Sequence, residues 1–209
     1  MLCRAIAEKG LENIKGLIKD AEMAEIRLEK TLLTVSETKE LFAAHTNLIA
    51  TCRPDGLNDF QRKEILMAAI DGGAQWIDLE IESESDFCSE LVSYAKKNGC
   101  KVIISYHNYD LTPDSMALAK IIAEALEKQA DLVKIATQVN SISDNARLLS
   151  LYGQETLMLA IGMGELGKIT RLAALKLGAP FTFVSWENGK ETAPGQIQEN
   201  DMKYLLKYL

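Results

Sequence analysis

The sequence Ala130–Thr137, ADLVKIAT, is a short apolar run of strand-forming residues with one lysine, Lys134, in its interior. Similar runs recur along the chain at intervals of about 25 residues. Their length and their β-branched residues predict buried strands. The other seven runs are LCRAIA, AEIRL, NLIATC, WIDLEI, KVIISY, TLMLAI and FTFVS.

The segments between these runs have the period and the end signals of helices. Asn58-Asp59 precedes FQRKEILMAAI, which ends at Gly72-Gly73. A second helix is capped by one residue of the pair Ser85-Asp86 and ends before Gly99. Thr112-Pro113 opens a third helix as N-cap and first helical residue. These are the residue types that helix ends prefer.

Strand and helix therefore alternate about eight times along the chain. This order predicts parallel strands joined by right-handed crossovers, and the natural architecture is an α/β fold, a closed (β/α)8 TIM barrel, with residues 1–209 as one domain. An open doubly wound sheet has the same alternation and stays an alternative. No strand is followed by GxGxxG or GxxxxGK[ST], which disfavours a nucleotide-binding version.

Composition restricts the function classes. The formal net charge of −7 gives no basic surface for nucleic acid. Four cysteines and two histidines lack metal-ligand spacing, so we expect neither a metal nor another cofactor. No signal peptide or membrane-span pattern is found, which predicts a cytoplasmic protein that does not enter membranes. A small molecule is the expected partner, and a homodimer is expected because dimers are the commonest oligomers.

Polar residues occur at the predicted C-terminal ends of the strands, where barrel enzymes place their reactive groups. Some have structural explanations: Glu25 and Arg27 could form an ion pair, and Asp78 with Glu80 could form a polar layer on one face of a strand. A histidine such as His107 is also often structural. The full set is Glu25, Arg27, Arg53, Asp78, Glu80, His107, Lys134, Arg171, Thr192 and Gln196.

Lys134 stands out because a parallel strand has both faces covered, so its ammonium reaches water only in a cavity or finds a carboxylate partner. Desolvation and nearby cations favour the uncharged, nucleophilic amine, which attacks a carbonyl to form an imine. His107 could then move the adjacent proton, with Glu25 orienting the imidazole. Arginines would bind an anionic substrate. This chemistry predicts a Schiff-base lyase or aldolase.

Eight motifs in order along nearly the whole chain resemble the type I 3-dehydroquinate dehydratase family. They are AEIRLE, CRP, IDLEIE, ISYHNY, DLVKIAT, MGELGKITR, GAPFTF and APGQI. The resemblance implies a (β/α)8 barrel that removes water from 3-dehydroquinate by syn elimination, giving 3-dehydroshikimate in the shikimate pathway without a cofactor.

The resemblance also implies a role for each matching residue. Lys134 corresponds to the imine-forming lysine, His107 to the general acid/base and Glu25 to its carboxylate partner. Arg171 corresponds to the arginine that binds the substrate carboxylate. The remaining substrate contacts are Arg27, Arg53, Thr192 and Gln196.

Two departures from the family pattern are visible. The loop after Arg53 is the shortened RPDGLND, in which Asp55 could replace an acidic residue followed by two glycines. Thr192 stands where relatives commonly have serine. A class I Schiff-base aldolase and a noncatalytic ligand-binding barrel remain alternative interpretations.

Overall fold

Parallel strands alternate with helices in the computed structural model, which describes residues 1–153 and 155–209. The strands are β1 Leu2–Ile6, β2 Met23–Arg27, β3 Leu48–Thr51, β4 Trp76–Glu80, β5 Lys101–Asn108, β6 Leu132–Gln138, β7 Met158–Met163, β8 Thr182–Ser185 and β9 Ile197–Gln198. The helices are α1 Leu11–Ile18, α2 Leu28–Thr31, α3 Val35–Ala43, α4 Asp59–Asp71, α5 Ser85–Lys97, α6 Ser115–Glu127, α7 Ile142–Leu149, α8 Lys168–Lys176 and α9 Glu199–Leu206.

The sheet has the strand order β7-β6-β5-β4-β3-β2-β1-β8-β9, and its ladders are all parallel. One cluster of buried side chains includes members from every strand region from β1 to β8, for example Cys3, Met23, Trp76, Leu159 and Phe183. Side chains of an open doubly wound sheet would not meet in this way. The curled sheet confirms the predicted (β/α)8 barrel.

Alternation along each strand sorts the side chains between the barrel interior and the helices. In β6, Leu132 and Ala136 belong to the interior cluster, whereas Val133 and Ile135 pack in the cluster that includes the helices. Lys134 has the same parity as Leu132 and Ala136, so it points into the barrel.

The predicted helix ends are partly confirmed. Asn58 caps α4 with its side chain, which accepts a hydrogen bond from the backbone N–H of Gln61. The helix start at Thr112-Pro113 is wrong: α6 begins at Ser115, and Asp114 caps it. Thr112 is instead turned toward β6, where its hydroxyl lies 2.8 Å from the carbonyl oxygen of Gln138.

Two smaller details differ from the sequence prediction. Ser85 is the first residue of α5, and the N-cap position is Glu84, one residue before the predicted pair. The short strand β9 was not predicted, because its two residues give no periodic signal. In the part of the chain that the structure describes, no helix combines the length and the apolar character needed to cross a membrane.

Candidate active site

A cavity of about 280 Å³ opens at the C-terminal ends of the barrel strands. Every predicted site residue except Asp78 lines it, although they come from β2, β4, β5 and β6, from the loop after β3, from α8 and from the β8–β9 connection. This is the position at which TIM barrels hold their active sites. Among the lining residues are Glu25, Arg27, Arg53, Asp55, His107, Tyr109, Lys134, Arg171, Phe183, Thr192 and Gln196.

Lys134 is almost fully buried, with 6% of its surface exposed, yet it lines the cavity. Its Nζ donates a hydrogen bond to Oδ2 of Asp78 at 2.8 Å and lies 3.8 Å from Oε1 of Glu25. The same nitrogen lies 4.6 Å from the centre of the Phe183 ring. The lysine is therefore both paired with a carboxylate and open to the cavity. The two alternatives given by the sequence, a carboxylate partner and an amine in a cavity, are compatible.

Asp78 is the buried carboxylate that connects Lys134 to the rest of the site. Its Oδ1 accepts hydrogen bonds from Ser105 Oγ at 2.6 Å and from Arg53 Nη2 at 2.9 Å. Burial acts to raise the pKa of Asp78, but the charges of Arg53 and Lys134 outweigh it and hold the pKa well below its usual range. Asp78 is therefore ionised. The sequence placed it near the site but did not select it.

Arg27 and Arg53, at the ends of β2 and β3, both have carboxylate partners. Arg27 pairs with Glu29 at 2.7 Å, so the predicted alternative of an ion pair with Glu25 is not formed. Glu29 also accepts a hydrogen bond from the backbone N–H of Arg53 at 3.2 Å. Arg53 is held by Asp78 and lies 3.8 Å from Glu80. These contacts fix both guanidinium groups at the cavity wall.

His107 is half-buried in the cavity wall, and its ring stacks on Tyr109 with centroids 6.4 Å apart. Burial, together with the positive charges of Lys134 and Arg53, lowers the pKa of His107 well below its usual value. The imidazole is therefore neutral near pH 7 and can accept a proton.

The predicted hydrogen bond between Glu25 and His107 is not formed in this structure. Oε1 of Glu25 instead accepts a hydrogen bond from the hydroxyl of Thr51 at 2.8 Å, and the carboxylate faces Lys134. Inward-facing positions on neighbouring strands bring Glu25 and Thr51 together, whereas His107 lies farther along the barrel wall on β5. Sequence spacing contains no information about this choice of partner.

Arg171 is a buried cation with unused hydrogen-bonding capacity. It is 1% exposed, and its Nη2 donates to the carbonyl oxygen of Pro194 at 3.1 Å. Its Nε has no hydrogen-bond partner among residues 1–153 and 155–209, and no carboxylate in that part of the chain pairs with it. Burial lowers the pKa of Arg171 to about 10, so the group is still a cation at neutral pH. It can bind an anion.

Thr192 and Gln196 belong to one compact loop between β8 and β9. Oε1 of Gln196 accepts a hydrogen bond from the backbone N–H of Thr192 at 2.8 Å. The backbone N–H of Gly164 donates to the carbonyl oxygen of Pro194 at 3.3 Å, which fastens the loop to the end of β7. The loop therefore closes one side of the cavity, next to Arg171.

Known proteins share both the sequence and the fold. A family model described as type I 3-dehydroquinase matches residues 2–209. A 3-dehydroquinate dehydratase of Methanococcus maripaludis (strain C7) is 32% identical over 222 residues, covering 100% of each chain. The chain belongs to the type I 3-dehydroquinase family. It is therefore an enzyme of this type, as the resemblance of its motifs implies.

Solved structures of 3-dehydroquinate dehydratases have the same fold. The protein from Aquifex aeolicus VF5 has a TM-score of 0.82 and 26% identity, with 100% of this chain and 98% of that chain covered. The type I enzyme from Clostridium difficile has a TM-score of 0.87 and 24% identity, with 99% and 91% covered.

In this type I 3-dehydroquinase the shortened loop after Arg53 still brings a carboxylate to the cavity. Asp55 lines the cavity and forms an ion pair with Lys30, a residue that the sequence analysis did not select. The structure describes no group of three or more histidine, cysteine, aspartate or glutamate side chains arranged to hold a metal ion in residues 1–153 and 155–209.

Proposed function

We propose that this type I 3-dehydroquinate dehydratase acts through an imine on Lys134, with His107 as general acid and base. The observation that carries the proposal is that Lys134, His107 and Arg171 line one cavity. A nucleophilic amine, a neutral imidazole and a cation for a carboxylate are the groups that the reaction of a small anionic ketone requires.

The amine of Lys134 adds to the ketone of 3-dehydroquinate. With one proton taken up, the adduct loses water and leaves a protonated imine. This group withdraws electrons, so the neighbouring C–H becomes acidic and His107 removes its proton. The electron pair moves into an enamine, which then expels the hydroxyl group on the next carbon.

His107 returns its proton to the departing hydroxyl, which leaves as water. Hydrolysis of the remaining imine releases 3-dehydroshikimate and restores Lys134. The net reaction is the loss of one water, and the same imidazole removes and returns the proton, as a syn elimination requires. The low pKa of His107 keeps it in the proton-accepting form at the start.

Arg171 binds the substrate carboxylate in this proposal. Its buried Nε lacks a partner within the described residues, and a carboxylate would supply one. Thr192 and Gln196 on the neighbouring loop, and Arg27 and Arg53 at the strand ends, also line the cavity, and in this proposal they contact substrate hydroxyls. Glu25 adds a carboxylate beside the amine rather than beside the imidazole.

Packing around β7 favours this reaction over a phosphosugar aldolase. Aldolases of the barrel type commonly bind phosphate with backbone N–H groups after strands seven and eight. Here the N–H of Gly164 is already bonded to Pro194, and the N–H of Gly167 donates to the carbonyl oxygen of Gly164 at 3.2 Å. These two donors are not available to a phosphate group unless the loop moves.

The decisive experiment is reductive trapping. The protein is incubated with 3-dehydroquinate and sodium borohydride, and the intact mass and the peptide map are recorded. We expect a covalent adduct at Lys134 and parallel turnover in untreated samples. If turnover occurs without an adduct, the imine is contradicted. If no adduct and no turnover are observed, the assigned substrate is contradicted. Phosphorylated sugars serve as the comparison substrates for the aldolase alternative.

A further inference from the structure

A buried carboxylate lies within hydrogen-bond distance of the nitrogen that reacts. Asp78 has a fully buried side chain, and its Oδ2 is 2.8 Å from Nζ of Lys134. We infer that Asp78 is the counterion of the imine nitrogen on Lys134 and keeps that nitrogen protonated. This inference rests on the proposed imine and adds a residue that the mechanism does not otherwise contain.

Asp78 is held in place by groups other than the lysine. Ser105 Oγ and Arg53 Nη2 both donate to Oδ1, which leaves Oδ2 for Lys134. The parallel ladder between β5 and β6 places Ser105 opposite Lys134, and β4 next to β5 brings Asp78 beside both. Because two of its three contacts do not involve the lysine, the carboxylate stays in position when the amine becomes an imine.

The charge of Asp78 affects a step that the reaction depends on. Only a protonated imine is a strong electron acceptor, and a buried opposite charge at hydrogen-bond distance favours the protonated form. When His107 takes the proton, the positive charge moves from the imine nitrogen to the imidazole. Asp78 also favours the protonated imidazole, because its negative charge acts to raise the pKa of His107, against the effects of burial and of the positive charges nearby. One carboxylate thus stabilises both positions of the charge.

Glu25 is the other carboxylate near the amine, and its position differs. It lies 3.8 Å from Nζ and lines the cavity, where substrate can reach it. Asp78 is 1% exposed and is not among the residues that line the cavity. A loss of Asp78 should therefore lower kcat more than it raises KM, since the carboxylate acts directly on the nitrogen and affects substrate binding only through Arg53.

The test compares Asp78→Asn with the matched variant Ser105→Ala, which removes a hydrogen bond to the same carboxylate but keeps its charge. For both proteins, kcat, KM and the fraction trapped by borohydride with 3-dehydroquinate are measured across pH. We expect Asp78→Asn to reach full trapping at long exposure to excess borohydride, because the imine still forms, while kcat falls about 10- to 100-fold, the effect of one charged hydrogen bond. The kcat of Asp78→Asn should fall further as the pH rises, because an imine nitrogen without the negative charge of Asp78 loses its proton more readily.

Ser105→Ala should keep the pH profile of the parent protein. The inference is overturned if kcat of Asp78→Asn stays within about twofold of the parent, or if trapping and turnover fall in parallel, which indicates a structural role. The two proposals fail separately: a parent protein without an adduct contradicts the imine itself, whereas a normal parent and an unaffected Asp78→Asn contradict only the counterion.

A measurement on the unaltered protein covers the case in which Asp78→Asn does not fold. The Raman C=N stretch of the imine with bound product is recorded in H₂O and D₂O across the neutral and mildly alkaline range. A protonated nitrogen gives a band that shifts on deuteration, and we expect the shift at every pH. A band that does not shift at neutral pH overturns the inference.

Discussion

The guanidinium group of Arg171 reaches across the cavity wall to the carbonyl oxygen of Pro194, 3.1 Å from its Nη2, and this is its one hydrogen bond within the described residues. Pro194 also accepts the N–H of Gly164. The contact therefore joins the end of β7, the start of α8 and the β8–β9 loop without satisfying the buried cation.

Replacement of Arg171 should separate stability from activity. Arg171→Met removes a buried charge that has no carboxylate partner in the described part of the chain, and Pro194 keeps its bond from Gly164. We expect the free energy of unfolding to be unchanged or higher, as when apolar residues replace buried charges. The specificity constant, kcat/KM, should fall at least about 10- to 100-fold through loss of a charged contact to substrate. Thermal unfolding and initial rates measure the two effects.

Arg62→Met is the control for this prediction. Arg62 is also buried, but it pairs with Asp59 and Glu80 and donates to the carbonyl oxygen of Cys52. Its loss should destabilise the protein by about 1 to 3 kcal/mol, because it leaves the buried carbonyl oxygen of Cys52 without its donor and two part-exposed carboxylates without their cation. Equal destabilisation by both variants would show that Arg171 stabilises the fold as Arg62 does, and would contradict the prediction.

Lys134→Ala should abolish turnover and leave the fold intact. Asp78 keeps its contacts with Arg53 and Ser105 in this variant. We therefore expect the free energy of unfolding to fall by less than about 3 kcal/mol, the usual cost of breaking a buried ion pair. Circular dichroism and turnover are the measurements. Lys101→Ala is the matched control, since Lys101 also lies over an aromatic ring, Trp76 at 5.1 Å, but at the other end of the barrel. Near-normal turnover by Lys134→Ala would refute the nucleophile.

The pKa of His107 predicts the acid side of the pH profile. Because burial and then the charges of Lys134 and Arg53 lower this pKa, the neutral base persists below the ordinary value of about 6.5. We expect the acid midpoint of kcat/KM to lie below about 6.5. His107→Gln should lower kcat about 10²- to 10⁴-fold and still allow trapping. His45→Gln, which changes the histidine bonded to the backbone of Ala21, should leave the profile unchanged.

The same shift makes stability depend on pH. A histidine that binds protons more weakly when folded lets the unfolded state bind more protons, so stability falls as the pH drops through about 6.5. His107→Gln should remove this part of the acid dependence. Denaturant unfolding of parent and variant at mildly acidic and at neutral pH measures it, and identical pH dependence in both would show that the pKa of His107 is not lowered.

Two glycines of the β8–β9 connection test the role of that loop. Both have positive φ, +73° at Gly195 and +80° at Gly189, so alanine strains the backbone at either position. A Cβ at Gly195 would lie 2.4 Å from the carbonyl oxygen of Gly164, whereas one at Gly189 meets no atom within 4 Å. Gly195→Ala should raise KM by displacing Thr192 and Gln196, and Gly189→Ala should not. Steady-state kinetics of the pair decide this.

The sequence was informative about the fold and about which residues carry the chemistry. The β-branched runs and the helix end signals between them are local properties, and they are sufficient to place eight strands and to indicate a barrel. The lysine of ADLVKIAT was identifiable because a charge inside a buried strand is costly. Asp78 was visible as a polar residue at a strand end, but nothing local distinguished it from a structural residue.

What the sequence by itself determined is the alternation of strand and helix and the inward parity of Lys134, since both depend on periods within one segment. The tertiary structure alone decided the partners: Glu25 with Thr51 and Lys134 rather than His107, Arg27 with Glu29, and Asp78 between Lys134 and Arg53. These pairs join residues on different strands or different elements. Their choice depends on strand register and on the curvature of the sheet, which no single segment encodes.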